Sequence, residues 1–232
     1  MAEPAGGPRT ARRPVGVAVA AGVAAVAALL FALLTVWVLH ARGAPLPGDE
    51  PLHVWALNHR PAAAAAWARA VTSTGTKVVP YAAVALAGAA VGRTPRQRIR
   101  SAAVFVLCLA VGQTLRFTTM ILITRHRPPL ADWATHATGW SFPSGHSSTG
   151  LMTAGLVIAA LLLSGRRVPR VVLALIAVWG VAVGLTRVYL GVHWFTDVIG
   201  GWLFACTWLS LLACAYLNFP RVRAAVHPPA DP

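Results

Sequence analysis

The sequence predicts an all-α fold, a six-helix transmembrane bundle with both termini in the cytoplasm. Hydrophobic residues make up 57% of the 232-residue chain and charged residues only 11%, whereas a soluble domain of this size carries more charge on its surface. Six apolar segments have roughly the 20-residue length that a spanning helix needs. Basic residues concentrate at alternate ends of these segments, which is typical of a multi-pass membrane protein.

The predicted spans delimit a transmembrane domain over residues 15–217, between a tail at 1–14 and a tail at 218–232. The six spans are Val15–Leu39, Thr76–Gly92, Ser101–Thr124, Ser144–Ser164, Val171–Leu190 and Val192–Leu217. The first has 25 residues, more than the roughly 7–15 of a signal-peptide core, so we interpret it as an uncleaved anchor. The second is the shortest and contains Pro80. The Ala-rich segment Pro61–Val71 before it is expected to lie along the membrane interface.

The distribution of arginine predicts the orientation of the bundle. Twelve of the twenty basic residues lie in the two tails and in the loops after spans 2 and 4, namely Arg9, Arg12, Arg13, Arg93, Arg96, Arg98, Arg100, Arg166, Arg167, Arg170, Arg221 and Arg223. These four segments share one side of the membrane, and loops rich in Lys and Arg remain in the cytoplasm. The net charge of +14 is therefore largely a topology signal. It does not indicate a nucleic-acid-binding face, which would need a polar domain to carry it.

A polar stretch, GWSFPSGHSSTG, interrupts the apolar runs at residues 139–150, where the fourth span begins. Pro143 suits a helix start, Ser144 is a candidate cap, and Gly145 lets the backbone come close to a ligand. The first N–H groups of the span have no intrahelical partner, and together with the helix dipole they favour an anion. A capped helix start with an incidental His146 is the alternative interpretation.

A second polar cluster, TRHRPP, follows the third span at residues 124–129. It puts Arg125 and Arg127 beside a proline stop, on the same side of the membrane as the first cluster. Because Arg often extends from a helix end to the interface, an interfacial anchor is the alternative interpretation of both side chains.

A third cluster, TRVYLGVHWFTD at residues 186–197, joins the fifth and sixth spans. His193 and Asp197 are four residues apart, so they share a face if the sixth span has begun there. A carboxylate that accepts Nδ1–H of an imidazole fixes its tautomer and leaves Nε2 free as a base or nucleophile. Arg187 lies near the end of the fifth span, where an unpaired charge is costly.

Together the three clusters offer guanidiniums, a helix N-terminus, a serine and two histidines at one end of a bundle. Arg forks match phosphate oxygens bidentately, and one His could attack phosphorus while the other protonates the leaving oxygen. Only Asp132 and Asp197 lie in this region as potential magnesium ligands, and the three cysteines show no metal-ligand spacing. These residues predict phosphoryl transfer without a metal or another cofactor.

At these motifs the sequence resembles the type 2 phosphatidic acid phosphatase superfamily, whose site is shared with vanadium haloperoxidases. The family pattern K-x6-R-P corresponds to MILITRHRP (120–128), P-S-G-H to 143–146, and S-R-x5-H-x3-D to 186–197. The second motif matches fully, and the third has Thr186 in place of Ser. The resemblance spans about 50–217 and implies a six-helix transmembrane bundle.

The resemblance also implies a role for each site residue. His193 would be the nucleophile that forms a phosphohistidine, Asp197 would orient it, and His146 would be the acid for the leaving group. The groups that would hold the phosphate are Arg127, Arg187, Ser144 and the backbone of Gly145.

One position departs from the family pattern, because Met120 stands where the family usually has Lys. Residue 120 lies about two helical turns before Arg127, and Arg116 lies four residues deeper on the same face, about 6 Å along the axis. An ionisable residue inside a span usually faces a polar cavity or a partner. Arg116 is therefore a further candidate for phosphate binding; the alternative is that it pairs with a carbonyl or with Gln113.

The combined prediction is an integral membrane phosphatase that hydrolyses a lipid phosphate or diphosphate at the extracytoplasmic face of the cell membrane, with polyprenyl diphosphate among the candidates. Its expected partners are the lipid substrate and the bilayer, and not nucleic acid. A lipid-linked phosphotransferase and a non-catalytic phospholipid-binding membrane protein are the alternatives. Met120 favours the non-catalytic alternative, whereas the intact His146, His193 and Asp197 oppose it.

Overall fold

The computed structural model describes residues 9–226, with side chains from residue 15 onward, and this part of the chain is helical with no strand. The helices are α1 (Arg9–His40), α2 (Asp49–Asn58), α3 (Ala62–Thr74), α4 (Val78–Ala89), α5 (Pro95–Ile123), α6 (Gly145–Leu163), α7 (Arg170–Tyr189), α8 (Phe195–Asn218) and α9 (Pro220–Val226), with a 3₁₀ turn at Leu130–Asp132. The predicted all-α class is confirmed. Residues 1–8 and 227–232 of the two predicted tails lie outside the described residues.

Five helices are long and apolar enough to cross a membrane: α1 from Val15 onward, α5, α6, α7 and α8. They coincide with the first, third, fourth, fifth and sixth predicted spans. The second predicted span differs, because α4 has only 12 residues, about 18 Å of helix against roughly 30 Å of hydrocarbon. Lys77 precedes its first residue, and the φ of 57° at Lys77 is not helical, so α4 starts at Val78. The segment predicted along the interface is helical and forms most of α3.

Helix α1 packs antiparallel along α8 and fixes the loop before α6. A Cβ added at Gly16 would lie 3.6 Å from Leu217 near the end of α8. The ring of Phe31 lies 5.9 Å from that of Phe204 and 5.9 Å from that of Phe142. Phe142 is fully buried, so this contact holds the residues that precede the PSGH motif.

Close contacts between α6, α7 and α8 hold the start of α6 in place. A Cβ added at Gly180 of α7 would lie 2.8 Å from the Cβ of Ala154 in α6. One added at Gly201 of α8 would lie 2.8 Å from the carbonyl oxygen of Ser144. Small residues at such contacts let helix backbones approach closely, which is typical of membrane bundles.

The directions of the helices gather the three polar clusters at one end of the bundle, where α5 and α7 end and α6 and α8 begin. The basic segments at 93–100 and 165–170 lie at the opposite end, because the first includes the start of α5 and the second connects α6 with α7. Helix α9 also lies at that end, since Ser101 Oγ of α5 donates to the Val226 carbonyl at 2.8 Å.

Candidate active site

A cavity of about 780 Å³ opens at the end of the bundle that carries the polar clusters. Six of the eight predicted site residues line it, namely His146, His193, Arg116, Arg127, Arg187 and Gly145. The other two, Asp197 and Ser144, are fully buried behind its wall. The structure thus brings the three clusters together around one space.

The lining of this cavity is cationic. Two further basic side chains, Arg69 of α3 and Lys77, join the three arginines in its wall, and no carboxylate lines it among the described residues. The same part of the chain contains no group of three His, Cys, Asp or Glu residues that could hold a metal ion. The ionisable groups in the cavity wall are therefore guanidiniums, an ammonium and imidazoles.

His193 lies in the short loop between α7 and α8 and is 1% exposed. Its Nε2 lies 2.8 Å from Nη1 of Arg127, and because a guanidinium only donates, Nε2 accepts this hydrogen bond and Nδ1 holds the ring proton. Burial, followed by the positive charges of Arg127 and Arg187, lowers the pKa of His193 well below its ordinary value. The ring is therefore neutral at physiological pH, with an unprotonated nitrogen at the cavity.

Ser141 lies between the imidazole of His193 and the carboxylate of Asp197. The Ser141 hydroxyl donates to Asp197 Oδ2, and its oxygen lies 3.3 Å from His193 Nδ1. The direct distance from Nδ1 to Asp197 Oδ2 is 3.4 Å. Because the hydroxyl proton goes to the carboxylate, the hydroxyl oxygen is free to accept Nδ1–H. The predicted pair of His193 and Asp197 is present, and Ser141, which the sequence analysis did not single out, shares it.

Arg125 does not act as an interfacial anchor. It is 1% exposed, and its Nη1 donates to Asp197 Oδ1 at 2.7 Å while its Nη2 donates to Asp49 Oδ2 at 2.8 Å. Thr124, with a left-handed φ of 52°, ends α5 just before Arg125 and so changes the direction of the chain. The interfacial interpretation is therefore wrong for this side chain. The composition of the polar cluster did not distinguish it from Arg127; only the family pattern K-x6-R-P, which includes Arg127, did.

The guanidinium of Arg127 holds the loop before α6 as well as contacting His193. Four backbone carbonyls accept its other hydrogen bonds at 2.7–3.0 Å, those of Thr138, Gly139, Trp140 and Val192. Burial lowers the pKa of Arg127 to about 10, a shift that Asp197 opposes and Arg116 reinforces, so the group stays cationic at neutral pH. A phosphate oxygen between Arg127 and His193 would accept the Nη1 hydrogen bond that Nε2 now accepts.

Arg187, near the end of α7, is also 1% exposed. Its Nη1 donates to Thr72 Oγ1 of α3 at 3.0 Å, and its Nε has no hydrogen-bond partner among the described residues. A buried guanidinium with an unsatisfied donor is costly unless an anion completes its environment. The position of Arg187 in the cavity wall is therefore consistent with a phosphate site, and Thr72 is a supporting residue that the sequence did not indicate.

The start of α6 differs in one detail from the prediction. Ser144 occupies the N-cap position, but no side chain caps the helix. The Ser144 Oγ accepts from Ser147 Oγ at 2.8 Å, and its N–H donates to the Asp197 carbonyl at 3.0 Å. The prediction of a capping hydrogen bond is wrong, because the Ser144 hydroxyl instead contacts Ser147, where α6 packs against Gly201 of α8. Gly145 and His146, the first two residues of the helix, line the cavity instead.

Met120 and Arg116 lie side by side on α5. Arg116 Nη1 is 3.5 Å from Met120 Sδ, a weak acceptor, and the Nε of Arg116 has no partner among the described residues. A Cβ added at Gly145 would lie 3.3 Å from Arg116 Cζ, so the guanidinium reaches the start of α6. Gln113, offered above as an alternative partner, donates to Thr149 instead.

The fold and the site define a helical, multi-pass membrane protein with a cationic cavity around a neutral histidine. Comparison with known families identifies it further: the PAP2 superfamily matches residues 101–221, about half of the chain, and the chain belongs to this superfamily.

Two curated relatives carry phosphatase names. Phosphatidylglycerophosphatase B of Bacillus subtilis (strain 168) is 38% identical over 104 residues, which cover 41% of this chain and 50% of the relative. Undecaprenyl-diphosphatase of Sulfolobus acidocaldarius is 33% identical over 117 residues, which cover 47% of this chain and 50% of the relative. The matched region thus spans about half the length of each relative.

A solved structure shares the fold. The transmembrane PAP2-type phosphatidylglycerolphosphate phosphatase from Bacillus subtilis superposes with a TM-score of 0.68 at 23% sequence identity, over 83% of this chain and 94% of that chain. This likeness extends the relationship beyond residues 101–221 at the level of the fold.

Proposed function

We propose that the protein is an integral membrane phosphatase that hydrolyses a lipid phosphate or diphosphate through a phosphohistidine on His193. The observation that carries the proposal is the unprotonated Nε2 of His193 beside a cavity lined by guanidiniums. A neutral imidazole is a nucleophile for phosphorus, and the surrounding cations stabilise negative charge on the transferred group. Membership of the PAP2 superfamily and the phosphatase names of the two relatives support the same function.

In the first step, Nε2 of His193 attacks phosphorus, so that an N–P bond forms and the P–O bond to the lipid breaks. His146 gives a proton to the leaving oxygen. Arg127, Arg187 and the N-terminus of α6 bind the phosphate oxygens. Nδ1 keeps its proton, and the carboxylate of Asp197 stabilises the positive charge that develops on the ring.

In the second step, water attacks the phosphohistidine. The N–P bond breaks, inorganic phosphate forms, and His146 accepts the proton that the water loses. His193 returns to its neutral form with the proton on Nδ1. A phosphotransferase would use the hydroxyl of an acceptor in place of water, with the same bond changes.

The cavity favours an amphiphilic substrate. Phe117 and Ile121 of α5 line it and are each 49% exposed on the surface of the bundle, so a lipid chain has an apolar path from the cavity to the bilayer. Arg69 and Lys77 add positive charge beyond the predicted phosphate ligands, which favours a second phosphate group. The candidates are polyprenyl diphosphate, phosphatidylglycerophosphate and phosphatidic acid, and the names of the relatives agree with the first two.

We also propose six membrane crossings. The carbonyl of Ala44, after α1, accepts from Arg125 at the site end of the bundle, whereas Gly92 lies against Arg98 at the opposite end. Between these two points the chain passes from one end to the other through α3 and α4. This is the second crossing along the chain, and with the five longer helices it brings the total to six. With the twelve clustered arginines in the cytoplasm, both tails, 1–14 and 218–232, lie there and the cavity faces the extracytoplasmic side.

Single-cysteine labelling tests this orientation in a background without Cys108, Cys206 and Cys214. A membrane-impermeant maleimide added to intact cells is expected to label Ala131→Cys, at an exposed position in the 3₁₀ turn Leu130–Asp132. It should not label Arg167→Cys, in the α6–α7 loop, until the cells are opened. Labelling of position 167 from outside would reverse the orientation and contradict an extracytoplasmic site.

Purified full-length protein tests the proposed activity against a panel of lipid monophosphates and diphosphates. We expect release of inorganic phosphate that survives EDTA, because no metal-ligand cluster occurs among the described residues. We also expect inhibition by vanadate, which mimics five-coordinate phosphorus. Added lipid or sugar hydroxyls that divert the phosphoryl group from water would indicate a phosphotransferase. Binding of the lipids with no turnover of any of them would show that the protein only binds phospholipid.

A further inference from the structure

The short helix α2 contributes a fully buried carboxylate, Asp49, that contacts the site from outside the region matched by the superfamily. Its Oδ2 lies 2.8 Å from Arg125 Nη2 and 2.8 Å from Thr196 Oγ1. Its Oδ1 accepts from the Thr196 backbone N–H at 2.9 Å, and the Leu46 N–H donates to Oδ2 at 2.8 Å. Asp49 therefore holds both Arg125 and the first turn of α8, the turn that contains Asp197.

Arg125 connects this carboxylate to the one beside the nucleophile. Its Nη1 donates to Asp197 Oδ1 and to Thr196 Oγ1, each at 2.7 Å. Asp49, Arg125 and Asp197 are each at most 1% exposed, so solvent screens their charges little. Two carboxylates share one guanidinium, and the group as a whole bears one net negative charge behind His193.

We propose that Asp49 is a positioning residue for His193, acting through Arg125 and Asp197; the proposal rests on the function proposed above. The chain of contacts runs from Asp49 to Arg125, from Arg125 to Asp197, and from Asp197 through Ser141 to Nδ1 of His193. The first two links join opposite charges, and the neutral hydroxyl of Ser141 donates to Asp197 and accepts from Nδ1–H. The side chain reaches neither the cavity nor the substrate.

The shared guanidinium explains why the second carboxylate matters. With Asp49 charged, Arg125 divides its hydrogen bonds between two anions, and Asp197 keeps the acceptor strength that holds Ser141 and Nδ1–H. With Asp49 neutral, the full charge of Arg125 falls on Asp197 and weakens it as an acceptor. The imidazole then keeps its Nε2 hydrogen bond from Arg127 but is held less firmly at Nδ1. It also loses part of the negative charge that stabilises the ring during attack on phosphorus.

Kinetics of Asp49→Asn, which keeps the shape of the side chain and removes its charge, test the proposal in the purified full-length protein. We expect kcat for the best substrate of the panel to fall by about 10- to 100-fold, as when a residue that orients a metal-binding histidine is replaced. KM should stay close to the wild-type value, because no substrate contact is lost. The matched control is Glu50→Gln, the same charge change at the exposed neighbouring residue, with wild-type kinetics expected. Wild-type kcat in a folded Asp49→Asn would overturn the proposal.

A measurement that needs no turnover separates this proposal from the proposed activity. In protein labelled with ¹⁵N-histidine, with His193 assigned through His193→Gln, the wild-type ring is expected to show an unprotonated Nε2 and a protonated Nδ1. In Asp49→Asn the Nδ1 signal should shift as the hydrogen bond from Nδ1–H weakens, whereas Glu50→Gln should leave both signals in place. Unchanged His193 signals in Asp49→Asn would refute the positioning role. A signal change together with no phosphate release by the wild type would refute only the activity.

A second variant covers the case in which Asp49→Asn does not fold. Thr196→Val removes the hydroxyl that joins Asp49 to Arg125 while leaving all three charges and the side-chain shape. A smaller fall in kcat at unchanged KM, with a shift of the His193 signals in the same direction, is expected. Wild-type values for both readouts would contradict the proposal.

Discussion

Replacing His193 with alanine is expected to abolish phosphate release, with a fall in kcat of at least about 10⁴-fold, as for other catalytic nucleophiles. The reason is chemical: Nε2 of His193 is the unprotonated nitrogen at the cavity, and alanine leaves no group there that can form a bond to phosphorus. KM should change little, because the guanidiniums that bind phosphate remain. Phosphate release from a lipid substrate should be followed over several hours, so that so large a fall in kcat can be measured.

Trapping of the phosphoryl protein makes the test specific. After reaction with a ³²P-labelled substrate, wild-type protein should contain a phosphoryl group that acid removes and alkali does not, and His193→Ala should contain none. His146→Ala is the matched comparison, because it leaves the nucleophile intact. It should turn over substrates with good leaving groups far better than alkyl phosphates, since the acid matters most for poor leaving groups. Wild-type turnover or a labelled protein in a folded His193→Ala would contradict the nucleophile assignment.

The apolar spans could be predicted because each carries its own signal. A segment of 20 or more apolar residues is helical in a membrane wherever it packs, and α1, α5, α6, α7 and α8 agree with that expectation. The second span could not be predicted with its correct length. The polar run at residues 72–77 marks its start, but α4 ends at Ala89, before the predicted Gly92, and no polar residue marks that end.

The site residues that lie in the three motifs could be predicted, whereas Arg69 and Lys77, which also line the cavity, lie outside the motifs. The residues that support the motifs could not be predicted, because these come from distant parts of the chain. Asp49 is 76 residues from Arg125, and Thr72 is 115 residues from Arg187. Only the packing of α2 and α3 against the bundle brings such pairs together. Ser141 lay within a motif already singled out, but its role depends on the position of Asp197, 56 residues away.

Arg116 is expected to replace the cation that the family motif places at position 120. Its guanidinium lies close to the start of α6 at Gly145. Its Nη1 donates to the thioether of Met120, a weak acceptor, so its donors are available to a phosphate. Arg116→Ala should lower kcat/KM for the best lipid substrate roughly 30-fold. This corresponds to a loss of about 2 kcal/mol of transition-state stabilisation, the usual value for a charged hydrogen bond. Thr118→Ala, at an exposed position on the same helix, is the control and should match the wild type.

Restoring the family residue distinguishes replacement from a structural role. A lysine at position 120 stands one turn nearer to Arg127 than Arg116 does, and its ammonium would reach the same space. Met120→Lys added to Arg116→Ala should therefore recover much of the lost kcat/KM, whereas a variant damaged in packing would not recover. In the otherwise wild-type chain, Met120→Lys should have a small effect, because the two cations would compete for one anion and repel each other. Unchanged kinetics in a folded Arg116→Ala would show that Arg116 does not bind phosphate, and a large gain from Met120→Lys alone would show that the site lacks a cation that Arg116 does not supply.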